Sequence, residues 1–314
     1  MNCPVLPSVF RPFPPPREGS GATAAGRRWR SLPRACPSPA RGASPSRSTS
    51  ASGVGAALVE RLAEHEVWVL DVNSPNRLAD AHRFIPLDLS DAQAIDRVVA
   101  DLPDTLDGLA NVAGIAQAPQ PHTVVAVNFL GLRHLTESLI PRLVPGGRVV
   151  NVSSIAGRDW QSRVQWLLPL LETQSFAEGM NWCQEHPEGL GRDPYTFSKR
   201  LVTAYTLRAA QGGVGGEGYR INCVSPGPID TPLYPEFESI MGKAQSDWSR
   251  AQAGTAEPND IAAVVALLLT GDCGWLNGAD IPVDGGYSAG LESGWIDFAA
   301  SPAMMARRDS GKRQ

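Results

Sequence analysis

From Ala51 onward the chain alternates short apolar runs with longer segments of helical period, and no other feature restricts the fold as much. Val67–Leu70, 108–112, Arg148–Val152, Tyr219–Val224 and 281–283 read as strands, with another ending at Asp88. Ala56–Leu62, Ala92–Leu102, Val124–Leu143, Tyr195–Ala210 and Asp260–Leu269 read as helices. The strands are continuous apolar runs, so both their faces must be covered. Strands alternating with helices of this length give an α/β fold built on a doubly wound parallel sheet. Ligands in such sheets bind beyond the carboxyl ends of the strands, where the strand order switches.

The 314 residues are 42% hydrophobic, enough for a large buried core. No apolar run is long enough to span a membrane. The five cysteines (Cys3, Cys36, Cys183, Cys223, Cys273) form no CxxC pair, so neither a metal site nor a disulfide framework is expected. The net charge of −4 conceals an asymmetry: residues 1–50 hold eight arginines and one acid, Glu18. The remainder is strongly acidic and offers no basic surface for nucleic acid. Residues 1–49 are rich in Pro, Arg, Ser and Ala without apolar period and are expected to be disordered. The run from Phe10 to Pro16, with Pro12, Pro14, Pro15 and Pro16, is expected to be neither helix nor central strand. Three origins compete for this segment: a transit peptide, a genuine basic tail, or a stretch read from a shifted frame or an upstream start.

The motifs fall at strand ends. Gly53-Val54-Gly55 opens the first helix, where a glycine-rich turn and a helix N-terminus can hold a pyrophosphate. Asp71 follows the next strand. Its carboxylate can accept from both hydroxyls of an adenosine ribose and would repel a 2′-phosphate, which favours NAD over NADP. Asp88-Leu89 would suit the adenine amino group, and the small residues of Asn111-Val112-Ala113-Gly114 would let the backbone approach a cofactor closely.

Tyr195 and Lys199 form a Tyr-x-x-x-Lys pair, placing both side chains on one helix face. A free tyrosine titrates near pH ~10, and a neighbouring ammonium would stabilise its phenolate. With Asn151-Val152-Ser153-Ser154 upstream, Asn128 in Val127-Asn128-Phe129-Leu130-Gly131, Ser225-Pro226-Gly227-Pro228-Ile229-Asp230-Thr231-Pro232 downstream and Val283-Asp284-Gly285-Gly286 at the close, the chain from about Ser50 to Gly286 resembles the short-chain dehydrogenase/reductase family. The resemblance implies a Rossmann-like domain using NAD to interconvert an alcohol and its carbonyl. It implies that Tyr195 is the acid/base, that Lys199 lowers the Tyr195 pKa and bonds the nicotinamide ribose, and that Ser154 bonds the substrate oxygen. Asn128 would hold a water linking Lys199 to solvent. The backbone of Pro226, Gly227 and Ile229 and the Thr231 hydroxyl would fix the nicotinamide. It also implies a cytoplasmic homo-dimer or homo-tetramer.

Between Ser154 and Tyr195 lie forty residues, far more than the family usually carries. This insert, about 158–192, contains Trp160, Trp166, Phe176, Met180 and Trp182. It resembles the insert of the coniferyl-alcohol dehydrogenase and 3α-hydroxysteroid dehydrogenase/carbonyl reductase group, pointing to a bulky aromatic or alicyclic alcohol. Its aromatics can serve packing or substrate contact. The dehydrogenase domain is expected over 50–290, with 291–314 as a tail. The first strand is the departure: where an apolar segment should precede the glycine turn, residues 40–49 include Pro45 and Arg47, which a central strand does not tolerate. Codons for 43–47 read in a shifted frame can give Val-Ala-Val-Thr, so the strand is expected to be missing or corrupted. A chain crippled by its loss is the non-catalytic alternative.

Overall fold

The computed structural model of the chain describes residues 7–12, 53–75, 82–191, 193–214 and 218–311. Its seven strands are β1 (Pro7–Pro12), β2 (His65–Asp71), β3 (His82–Pro86), β4 (Leu106–Asn111), β5 (Leu143–Val152), β6 (Arg220–Pro226) and β7 (Asp280–Val283). They form one sheet in the order β3-β2-β1-β4-β5-β6-β7. All neighbours run parallel except β1, which is antiparallel to both β2 and β4.

The central place is therefore filled, and one expectation is corrected: the strand there comes from a proline-bearing segment judged unfit for it, while among the described residues no parallel strand leads into the glycine turn. The reason lies in where the prolines fall. Pro7 and Pro12 are the two ends of β1, opposite Asn111 and His65, so every interior residue keeps its N–H for the ladder. The vacant slot between β2 and β4 presents unpaired backbone groups on both sides, which an extended segment of either direction can satisfy. The corrupted run at 40–49 lies outside the described residues.

Successive strand residues face opposite layers. On one face Val67, Val69, Ala110, Val150 and Val224 belong to a cluster that includes Leu58 and Val59 of α1 (Val54–Arg61) and Leu62 just after it. On the other face Leu70, Leu109, Val149 and Ile221 belong to a second cluster that includes Ile95 and Val98 of α2 (Ala92–Asp101). The expected helix 124–143 is broken into α3 (Pro121–Val125), a π-type turn over Ala126–Gly131, and α4 (Leu132–Leu139). Close packing accompanies the break, since a Cβ on Gly131 would lie 2.1 Å from the Leu89 carbonyl oxygen. The insert folds as α5 (Val164–Leu171), α6 (Phe176–Glu185) and α7 (Pro187–Leu190). Next comes α8 (Pro194–Ala209). Past β6 come α9 (Tyr234–Met241), α10 (Lys243–Ala253) and α11 (Pro258–Thr270), the last packing on α1 through Ile261, Val265 and Leu268.

After β7 the chain forms α12 (Tyr287–Ser293) and α13 (Pro302–Gly311). Ile296 and Ser301 are buried, and α13 rests on α10, so the C-terminal residues dock on the domain. Among the described residues no helix is long and apolar enough to cross a membrane, and no cluster of His, Cys, Asp or Glu could hold a metal ion.

Candidate active site

The start of α8 sets the position of the tyrosine. Asp193 caps the helix by accepting from the Thr196 N–H (3.0 Å), and Pro194 fills the first position, where its missing donor costs nothing. Tyr195 thus stands in the first turn and Lys199 one turn further, buried, with its Nζ donating to the Val152 carbonyl (2.9 Å) and lying 5.8 Å from the Tyr195 ring centre. The two serines at the end of β5 divide their tasks. Ser153 is buried and donates to the Lys199 carbonyl (3.0 Å), fastening β5 to α8. Ser154 interacts with the Tyr195 phenol. Its hydroxyl also accepts from the Ala156 N–H (3.2 Å), beginning the short turn Ile155–Gly157.

Burial governs the titration of the pair. It pushes the Tyr195 phenol up to about 12, the Ser154 hydrogen bond opposing and the Asp193 carboxylate adding to the rise. Burial also pulls the Lys199 ammonium down to about 8, against a smaller upward pull from Cys223. In the free chain desolvation therefore sets the direction of the Tyr195 phenol, opposite to the lowering expected from Lys199.

Asn128 sits in the π-type turn with both amide protons spent, on the Ile115 carbonyl (2.9 Å) and Ser198 Oγ (3.0 Å), while its Oδ1 accepts from the Ile115 N–H (2.8 Å). Its side chain clamps the backbone after Gly114. Gly114 lies between Asn128 and Lys199: a Cβ there would be 3.3 Å from Asn128 Oδ1 and 3.4 Å from Lys199 Nζ. Asn111 is drawn away from the cleft. Its amide donates to Thr136 Oγ1 and Asn151 Oδ1 (both 2.8 Å), in a buried ladder continued by Asn151 to Thr206.

On the nucleotide side Gly53 has φ +73°, a conformation glycine alone adopts without strain, and opens α1. A Cβ on Gly53 would stand 3.2 Å from the Thr231 methyl, so the glycine turn and Thr231 face each other. Val54 and Gly55 are buried in the first turn of α1. Ile229 bridges Ala256, through Ala256 N–H to the Pro228 carbonyl and Asp230 N–H to the Ala256 carbonyl (both 2.9 Å), which leaves the Ile229 N–H and C=O unspent by the bridge. Gly227 donates to the Val283 carbonyl (3.2 Å) and packs against Asp284, holding the Pro226–Gly227 turn to β7. Asp88 is exposed and binds Ser90, Leu89 is buried against Gly131, and Ala113 is buried after β4.

Asp71 tests whether this cleft suits a dinucleotide. Its Oδ1 accepts from the Asn73 N–H (2.8 Å), and its Oδ2 is buried with no hydrogen-bond partner. Burial raises its carboxyl to about 6, opposed by backbone hydrogen bonds from Asn73 and Val72. An orphaned carboxylate oxygen at a strand end calls for hydroxyl donors, as a ribose supplies, so the residues present fit a nicotinamide dinucleotide.

The insert's aromatics pack inward. Trp160, Trp166, Met180 and Trp182 lie against the main core, and Trp182 stacks on His186 (4.8 Å) and on Phe197 of α8 (6.3 Å). Buried Arg133 of α4 binds the insert by donating to Thr173 Oγ1 (3.0 Å) and the Leu170 carbonyl (3.2 Å). The aromatic that does meet the site is Phe237 of α9, set edge to face on the Tyr195 ring with centres 4.7 Å apart. No motif marks Phe237 in the sequence; only its place, in the segment leaving the carboxyl end of β6, pointed to it.

Residues 49–165 match the family described as short chain dehydrogenase, and residues 183–288 match the one described as Enoyl-(Acyl carrier protein) reductase. Coniferyl-alcohol dehydrogenase of Pseudomonas sp. is 36% identical over 242 residues, covering 76% of this chain and 93% of the relative. The 3-alpha-hydroxysteroid dehydrogenase/carbonyl reductase of Comamonas testosteroni is 30% identical over 257 residues, covering 77% and 95%. Among solved structures, the 3-alpha-hydroxysteroid dehydrogenase of Pseudomonas sp. B-0831 complexed with NADH is 27% identical with a TM-score of 0.58, covering 78% of this chain and 96% of that one.

Proposed function

Because the chain belongs to the short-chain dehydrogenase/reductase family and is an oxidoreductase of that kind, we propose that it is a cytoplasmic NAD(H)-dependent enzyme interconverting a bulky aromatic or alicyclic alcohol and its carbonyl, with coniferyl alcohol as the leading substrate. The observation that carries the reading is the meeting of Ser154, Tyr195 and buried Lys199 beside Gly114. NAD, when bound, supplies the hydride acceptor and NADH the donor. Tyr195 gives its phenolic proton to the carbonyl oxygen in reduction and takes the alcohol proton in oxidation. With its phenol raised to about 12, Tyr195 is protonated at neutral pH and ready for reduction, and oxidation should accelerate as pH rises. Ser154 donates to the same substrate oxygen, and Lys199 places positive charge behind it. The Asp71 carboxylate takes the ribose hydroxyls and repels a 2′-phosphate, which supports NAD over NADP. The aromatic relative's 36% identity supports an arylpropenol, and the 30% relative keeps a hydroxysteroid as the second reading. Steady-state assays with NAD and NADP against coniferyl alcohol, a 3α-hydroxysteroid and small aliphatic alcohols test this. Coniferyl alcohol with NAD should give the highest kcat/KM. Preference for small aliphatic alcohols or for NADP would overturn it, and no turnover at all would leave the crippled chain as the reading.

A further inference from the structure

Two charged pairs join the insert to the catalytic helix: Glu172 with Arg208 near the end of the helix (3.8 Å), and Asp159 with Arg200 beside the catalytic residues. Asp159 follows Arg158, which closes the turn that Ser154 opens, and Arg200 follows Lys199 directly on α8. The Arg200 Nε donates to Asp159 Oδ1 (2.8 Å) and its Nη2 to Oδ2 (2.7 Å), a two-pronged fork with defined geometry. Between the ends of this fork the two segments are pressed together. A Cβ on Gly157 would fall 2.5 Å from the Lys199 carbonyl oxygen, and Ser153 donates to that same carbonyl. Ser154 and Tyr195 belong to the two segments so joined, β5 with its following turn and α8.

We infer that Asp159 and Arg200 are positioning residues: their fork holds the Ser154 hydroxyl in register with the Tyr195 phenol, so that the insert acts on the chemistry through this pair rather than by touching substrate. The physical reason is reach. Within its own turn the Ser154 hydroxyl accepts from the Ala156 N–H, whereas catalysis needs two hydroxyls from separate segments on one substrate oxygen. A misplacement of about 1 Å in such an arrangement can lower turnover about a hundredfold. The fork is partly exposed, with the Asp159 side chain 59% accessible, so its effect on stability should be slight while its effect on alignment is large. Asp159 titrates below the usual carboxylate range. Burial opposes this, but the Arg200 hydrogen bonds and charge prevail, so the fork is intact throughout the working pH range.

The test uses full-length Arg200→Gln and Asp159→Asn, with Arg200→Lys as the conservative variant and Glu292→Gln as control. Glu292 pairs with Arg158 (3.1 Å) and tethers the same turn to α12 instead of α8. Arg200→Gln and Asp159→Asn should lower kcat about ten- to a hundredfold, with KM for the dinucleotide within about twofold of the parent. Their alcohol-oxidation profile should shift to higher pH, because a displaced Ser154 no longer pulls the Tyr195 phenol down. Arg200→Lys should recover part of kcat, and Glu292→Gln should leave kcat and profile unchanged. A parental kcat and pH profile in both fork variants, or a fall in kcat that merely follows lost folded protein with the profile unmoved, would overturn the assignment. So would an equal loss in Glu292→Gln.

Discussion

On the catalytic side of the cleft each reacting group is tied to its neighbours: Ser153 to Lys199, Lys199 to Val152, Asn128 to Ile115 and Ser198. On the nucleotide side Gly53 begins α1 without a side-chain cap, and Asp71 holds an oxygen with no partner. The strand between them differs most. β5 runs parallel to β4 and β6 and delivers Ser154 directly from its carboxyl end. β1 runs the other way, so the chain leaves it at the amino end of the sheet, opposite His65, and Gly53 is not the direct continuation of the central strand. A strand that feeds a loop fixes that loop; a strand that only fills a slot satisfies the sheet and leaves the loop to other contacts. Here Thr231 and the α1–α11 packing take that part.

The sharpest break between the sides is chemical. Tyr195→Phe should lower kcat by about a thousandfold, since general acid/base catalysis contributes about 10²–10⁴. NADH affinity, followed by its fluorescence, should stay within about twofold, because only the proton donor is lost. Retention of substantial turnover would transfer the acid/base role elsewhere.

The second experiment exchanges one kind of strand for the other. Placing a Val-Ala-Val-Thr-Gly segment before Ala51, so that a parallel strand runs straight into the glycine turn, should tighten NAD binding about tenfold. It should raise the melting temperature by several degrees, each kcal/mol gained shifting Tm by about 2–4 °C in a domain of this size. The gain comes from anchoring Gly53. If the unaltered chain matches the restored one in both measurements, the reversed β1 holds the nucleotide side as well as a parallel strand does.

These two halves were also unequally legible in the sequence. Tyr195 and Lys199 share a helix face by their spacing, whereas the family resemblance alone distinguishes Ser154 from Ser153. The strand and helix positions after Ala51 followed from the same periodicities. What escaped was tertiary. The break in the helix at Asn128 depends on contacts with Ile115 and Leu89, far away in sequence. The inward packing of Trp166 and Trp182 depends on α7 and α8. β1 was misread because proline was judged by its presence and not by its place at the strand's ends.

Asp71 provides a milder contrast, confined to the nucleotide side. Its carboxyl is raised to about 6 in the folded chain, so it gains a proton as pH falls through that value and loses its ability to accept from ribose hydroxyls. NAD affinity should therefore weaken, approaching tenfold per pH unit, below pH ~6. Asp71→Asn should flatten that dependence and narrow the preference for NAD over NADP by about tenfold. Its own stability effect has the opposite sense. A raised carboxyl binds protons more tightly when folded, so this group's contribution falls as pH rises from about 4 to about 6. An unchanged NAD affinity across that range would remove Asp71 from the ribose.

The smallest effect is expected at Phe237, where an aromatic side chain meets the reacting group. Phe237 rests edge to face on Tyr195, and α9, which carries it, buries none of its residues in the core. An arylpropenol ring brought beside Tyr195 would find Phe237 as an apolar wall, and such aromatic pairs are worth about 0.5–1.5 kcal/mol beyond their area. Phe237→Leu keeps the wall apolar and removes the ring, so KM for coniferyl alcohol should rise about three- to tenfold with kcat nearly unchanged. A small aliphatic alcohol, too short to reach the wall, should show no change in KM. If both substrates lose equally, or if kcat falls while KM holds, Phe237 supports Tyr195 itself and the insert's neighbours must supply the selectivity.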